Sequence, residues 1–174
     1  APLLLAIGAS EVRYRDLLAR YHDLCAQFGP LPPPRVVNVD HGAQRFLLFA
    51  IDQPLHGACV TPAMAWIDRP VSGARVDAGE PVDVEGWAFK DGVGLARVQV
   101  LLDGRPVAMA SYGMTNVGVR AYWKISNDPQ HPRVGFRAQF DTRGLEPGRH
   151  WLGLRLVGRD GSVEDWQEQP LDVK

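Results

Sequence analysis

Aromatic, amide and acidic side chains concentrate in one stretch of this chain, residues 114–133, which holds Tyr122, Trp123, Asn127, Asp128 and His131. Together these types suit a sugar, because an aromatic face stacks on pyranose C–H groups while amide and carboxylate oxygens bind hydroxyls. The same residues also read as a cover for the open end of a packed domain, with Asn127-Asp128-Pro129 as a turn. A second grouping is Asp40-His41 on a tight turn with His56 downstream, which could supply a metal pair or an acid–base dyad; its plainer reading is a solvated hairpin tip. Two cysteines, Cys25 and Cys59, could form a disulfide or stay as buried thiols, and no C-x-x-C spacing points to redox or zinc chemistry. The carboxylates Asp83, Glu85, Asp141, Glu146, Glu164 and Asp165 fall in strand-edge or turn contexts, so no glycosidase pair can be picked out. Neither a G-x-S-x-G elbow, a P-loop nor an H-E-x-x-H motif occurs, and no cofactor is implied.

The elements that would position these groups are bounded by composition. A chain of 174 residues fits one large domain or two small ones, and 45% apolar with 22% charged residues is an ordinary globular balance. A net charge of −1 argues against nucleic acid or anionic lipid as an obligatory partner. The apolar run at residues 2–9 is too short to span a bilayer and meets Glu11, Arg13 and Arg15 at once; no basic segment precedes it as in a secretion signal. The chain opens on Ala1 rather than Met, which reads as a piece of a longer protein.

Residues 3–7 form a continuous apolar run, a buried strand or the start of a helix. From the N-cap candidate Ser10, apolar residues from Val12 to Phe28 recur at helical spacing and stop at Gly29-Pro30, which predicts one amphipathic helix over 11–28. After the prolines at 32–34, residues 35–39 and 45–51 read as strands, making residues 1–66 a small α/β or α+β segment. Residues 52–71 are punctuated by proline and glycine and read as a linker.

Strand grammar takes over beyond it, at 82–89, 96–102, 105–111, 135–140, 150–158 and 162–173, with Asp103-Gly104 and Asp160-Gly161 as hairpin turns. Val98, Val100 and Leu102 share one face, as do Leu152, Leu154 and Leu156, and Phe136, Ala138 and Phe140. One buried face per strand is the pattern of a β-sandwich, with Trp87 expected as its buried tryptophan. The overall expectation is α+β: an all-β sandwich over 67–174 behind the segment 1–66.

Several landmarks carry a resemblance: Ile67-Asp68-Arg69-Pro70, Gly86-Trp87-Ala88, Ser111-Tyr112-Gly113, Gly135-Phe136 and Pro147-Gly148-Arg149-His150. Their order over residues 67–174 resembles a bacterial Ig-like module. The departure is at residues 114–133, where the family's Arg-Pro-Asp-Val-like stretch reads Met-Thr-Asn-Val-Gly-Val at 114–119. The resemblance implies a non-catalytic accessory region of a cell-envelope or secreted protein, periplasmic or extracellular, that binds glycan or an envelope protein or acts as a spacer. The alternative it leaves open is part of a glycosyltransferase or polysaccharide hydrolase whose N-terminal segment contributes to catalysis.

Overall fold

Alternating apolar and polar residues resolve into two packed sheets preceded by a smaller layer. The computed structural model describes residues 3–9, 14–31, 35–39, 41, 44–51 and 61–174. In the N-terminal layer, β1 (Leu3–Ala9), β2 (Arg35–Val39) and β3 (Gln44–Ile51) form an antiparallel sheet of order β1-β3-β2, with α1 (Tyr14–Phe28) between β1 and β2. The run at 3–7 is therefore a strand and not a helix start. One face of α1 buries Leu18, Tyr21 and Cys25, the three- and four-residue repeat of an amphipathic helix. Gly29, in the left-handed region at φ 79°, closes it by donating its amide to the Cys25 carbonyl at 2.9 Å. Cys25 is disulfide-bonded; the chain's other cysteine, Cys59, lies outside the described residues, as do Asp40 and His56.

The remaining strands are β4 (Ala63–Arg69), β5 (Ala74–Val76), β6 (Pro81–Lys90), β7 (Leu95–Leu102), β8 (Arg105–Met109), β9 (Ser111–Met114), β10 (Gly135–Asp141), β11 (Gly148–Gly158) and β12 (Val163–Val173). Four form a sheet of order β4-β6-β10-β9 and five a sheet of order β5-β12-β11-β7-β8. Those orders are the A-B-E-D and C-F-G layers of an immunoglobulin-type sandwich, with β5 and β8 added at the edges of the second sheet. Its core holds Val98, Val100, Leu102, Leu152, Leu154 and Leu156 from one sheet against Val84, Phe136, Ala138 and Phe140 from the other. Leu18, Tyr21, Leu31 and Phe49 belong to the same hydrophobic cluster, so the N-terminal layer packs on the sandwich.

Three sequence expectations need correction. The stretch read as a linker, 52–71, ends in β4, whose Ala63, Met64, Ala65 and Ile67 are buried: its apolar residues belong to the sandwich despite the prolines around them. The strand expected at 105–111 splits into β8 and β9 on different sheets. The chain crosses at Ala110, whose amide still reaches the Val98 carbonyl at 3.0 Å before Ser111 pairs with Arg137. Trp87 is not the buried tryptophan. Along β6, Val82, Val84, Gly86 and Ala88 point inward, which turns Trp87 to the outer face; Trp123 and Trp166 are the buried ones, at 2% and 4% exposure.

The first Asp-Gly turn does more than close a hairpin. Asp103 and Gly104 adopt φ of 49° and 76° between β7 and β8. The Asp103 amide donates to the Trp151 carbonyl at 2.8 Å; the Asp103 carboxylate accepts the Trp151 amide on Oδ1 at 2.8 Å and faces His150 Nδ1 with Oδ2 at 2.6 Å. His150 Nε2 meets the Glu146 carbonyl at 2.8 Å, so the ring is only 13% exposed and has an acceptor at each nitrogen. Only the imidazolium can donate to both, and the Glu146 carbonyl, followed by the Asp103 carboxylate, raises the His150 pKa. A raised folded-state pKa gives stability that is fully present below the unfolded value of about 6.5 and is lost as pH rises through the folded value. Thermal unfolding should therefore separate the parent chain from His150→Gln most in mild acid, with the gap closing toward alkaline pH. An equal gap at all pH values would rule out this account of the pair.

Candidate functional site

The site lies on the outer face of the four-stranded sheet. Its floor depends on Gly86: a Cβ there would stand 2.0 Å from the Trp66 carbonyl oxygen and 2.9 Å from the Phe136 ring. Only glycine lets β4, β6 and β10 come together, and β4 then bulges between Ile67 and Arg69. The outward side chains of β6 that follow from this register are Glu85, Trp87 and Phe89.

A short helix, α2 (Val117–Tyr122), covers part of that face. Asn116 caps it, its Oδ1 accepting the Val119 amide at 3.2 Å, while the Asn116 amide donates to the Pro132 carbonyl at 2.7 Å. Val119 and Trp123 are buried beneath it. The Trp123 ring stands edge-on to Phe89 at 5.1 Å and to Trp87 at 5.9 Å. Tyr122 stands edge-on to Trp123 at 5.6 Å and is 54% exposed. Between helix and sheet a groove of about 270 Å³ is lined by Asp68, Trp87, Asn116, Val119, Tyr122 and Trp123. A second lobe of about 170 Å³ shares Asp68 and Asn116 with it and adds Glu85, Met114 and Arg137. In that lobe Arg137 Nη2 pairs with Glu85 at 2.7 Å. Partial burial, and then the charge of Glu85, raises the Asp68 pKa.

The rest of the excursion turns its polar groups inward and holds the β6–β7 turn. Asp128 accepts the amides of Lys90 and Gln130, each at 2.7 Å, and Gln130 Oε1 accepts the Leu95 amide at 2.8 Å. The Asn127 amide donates to the Asp91 carboxylate, which also meets His22 Nε2 of α1 at 2.8 Å. His131 packs its ring on Phe89 at 5.1 Å and pairs Nε2 with Ser126 at 3.1 Å. Burial raises the Asp128 pKa and lowers that of His131. Of the five residues singled out in the sequence, Tyr122 and Trp123 therefore line the groove; Asp128 and His131 lie in the clamp, and the Asn127 side chain is exposed.

The other candidate cluster is only partly described. His41 stacks face to face on Trp151, with centroids 3.6 Å apart and planes within 3°, and its Nδ1 meets Glu168 at 3.1 Å. No group of three or more His, Cys, Asp or Glu residues able to hold a metal occurs among the described residues. Sequence reasoning missed Asp68, Trp87, Asn116 and Arg137 as site residues. The available signal was the alternation of β6, which puts Trp87 outward once Val84 is placed inward.

The family model of the bacterial Ig domain matches residues 64–152, from the second residue of β4 to the fifth of β11. The chain belongs to the bacterial Ig domain family. That stretch includes every residue lining the groove. Among solved structures, the domain is similar to the fibronectin(III)-like modules of CbhA from Clostridium thermocellum, with TM-score 0.43 and 20% identity over 64% of this chain and 46% of that one. The chain thus spans about half the length of that structure. It is also similar to CopC from Methylosinus trichosporium OB3b, with TM-score 0.32 and 17% identity over 66% and 91% of the two chains. A third likeness is to domains 4 and 5 of the S-layer protein SbsC, with TM-score 0.34 and 12% identity over 80% and 65%. A comparison with curated proteins finds no match to the chain. No helix among the described residues is long and apolar enough to cross a membrane.

Proposed function

We propose that this bacterial Ig domain is a non-catalytic accessory module of a secreted or cell-envelope protein, and that it binds glycan in the groove under α2. The observation carrying this reading is one exposed aromatic, Tyr122, beside a half-buried one, Trp87, with Asp68 and Asn116 at the same groove. An aromatic surface beside acidic and amide groups matches a sugar, which presents apolar C–H faces and hydroxyls together. The cover is anchored independently of any ligand, by the Asn116 cap and by Asp128 and Gln130 on the β6–β7 turn, so the groove is formed before binding.

Isothermal titration of the full chain against a panel of bacterial and plant cell-wall oligosaccharides tests the proposal. Tyr122→Ala is expected to weaken the binding found by about tenfold, the scale of a lost aromatic contact, while the domain stays folded. Unchanged binding in that variant would remove the groove from the account. Absence of binding across the panel would leave the domain as a spacer or a protein-binding module.

A further inference from the structure

The groove has a charge asymmetry that a neutral sugar would not need. Asp68 lines both lobes, and among the described residues its side chain makes no ion pair and no hydrogen bond. Its acidic neighbour Glu85 already has a partner in Arg137. Arg69, opposite Glu85 in register, lines neither lobe. One exposed carboxylate thus lines the groove without a counter-ion among the described residues. Around it are Trp87, Tyr122 and Trp123, the latter two meeting at 76°. Aromatic side chains that share a groove with a carboxylate lacking a partner among the described residues favour an organic cation, which gains from the ring quadrupoles and from the charge.

We infer that the groove selects a glycan carrying free amines, an unacetylated amino-sugar chain whose ammonium group pairs with Asp68 between Trp87 and Tyr122. This rests on the glycan-binding reading above and names its ligand class. Two lobes sharing Asp68 and Asn116 suit successive units of a chain better than a single small amine. Partial burial of Asp68 and the nearby Glu85 charge both disfavour its ionised form, and the charge of a bound ammonium would counter the repulsion from Glu85. Acetylation would remove the positive charge and place an amide against Asp68, so the preference should follow the charge and not the sugar ring.

The test compares glucosamine, N-acetylglucosamine and glucose oligomers of equal length on the full chain, at a pH where the amine is charged. The inference expects the glucosamine oligomer to bind about tenfold or more tightly than the other two, with an advantage that shrinks as salt rises. Asp68→Asn, which keeps size and hydrogen bonding, should abolish that advantage, whereas Tyr122→Ala should weaken glucosamine binding whatever the salt. Equal or tighter binding of the N-acetylated or neutral oligomer would overturn the amine preference while leaving glycan binding intact. So would a glucosamine advantage retained in Asp68→Asn. If none of the three binds, and no oligosaccharide of the wider panel binds, both readings fall together.

Discussion

Gly86→Ala is expected to destabilise the domain by about 3 kcal/mol or more, or to prevent its folding. The added methyl would lie 2.0 Å from a backbone carbonyl oxygen, that of Trp66, and 2.9 Å from the Phe136 ring. A flexible side chain could move aside, but the Trp66 carbonyl is held by the β4–β6 pairing of Trp66 with Trp87. Relief would require β4 to leave the sheet or β6 to shift against β10. Either movement disturbs Trp87, and with it the floor of the groove. Gly92→Ala is the matched control: its Cβ would meet nothing within 4 Å, and its φ of 70° alone should cost about 1 kcal/mol. Urea unfolding of the two variants measures the difference. If Gly86→Ala were as mild as Gly92→Ala, the close approach of β4 and β6 would be wrong.

The second large effect is expected at Lys90, which is 3% exposed at the end of β6. Its Nζ donates to Ser162 at 2.7 Å and to Glu164 at 3.0 Å, with Asp160 at 3.8 Å. Glu164 also accepts the Ala63 amide at 2.9 Å, so one buried ion pair links β4, β6 and β12, strands of both sheets. Lys90→Met leaves the Glu164 carboxylate buried without its cation, a change that costs about 3–5 kcal/mol where it has been measured. Lys90→Met combined with Glu164→Gln, which removes the stranded charge and keeps an acceptor for Ala63, should recover a substantial part of that loss. A double-mutant cycle by chemical denaturation gives the coupling. Additive losses would mean that the pair does not interact as the geometry requires.

These two sites show what could be read from residues alone. The sandwich was legible because β7, β10 and β11 each bury one face, and because Asp103-Gly104 has the φ values that its dipeptide favours. Lys90 gave no warning, since its partners Ser162 and Glu164 come from the far end of the sequence and meet it only through the sheet topology. Trp87 was misplaced because the sandwich pattern carries the expectation of a buried tryptophan, whereas strand alternation and the covering Trp123 decide its position. The six-residue α2, with a glycine inside it, has too few turns for periodicity to show; Asn116 was its one cue. In the excursion, composition could not tell a polar side chain aimed at a ligand from one aimed at the chain's own amides. Asp128 and Gln130 are of the second kind, bonded to Lys90 and Leu95, while Asp68 came from a stretch read as linker.

Amide chemical-shift mapping on the isotopically labelled full chain, during titration with a bound oligosaccharide, tests most directly whether the groove is the working surface. The account predicts perturbations clustered at Asp68, Glu85, Trp87, Asn116 and Tyr122, with the β7–β8 hairpin on the opposite sheet unmoved. Perturbations confined to that hairpin or to the N-terminal layer, with the groove silent, would contradict it.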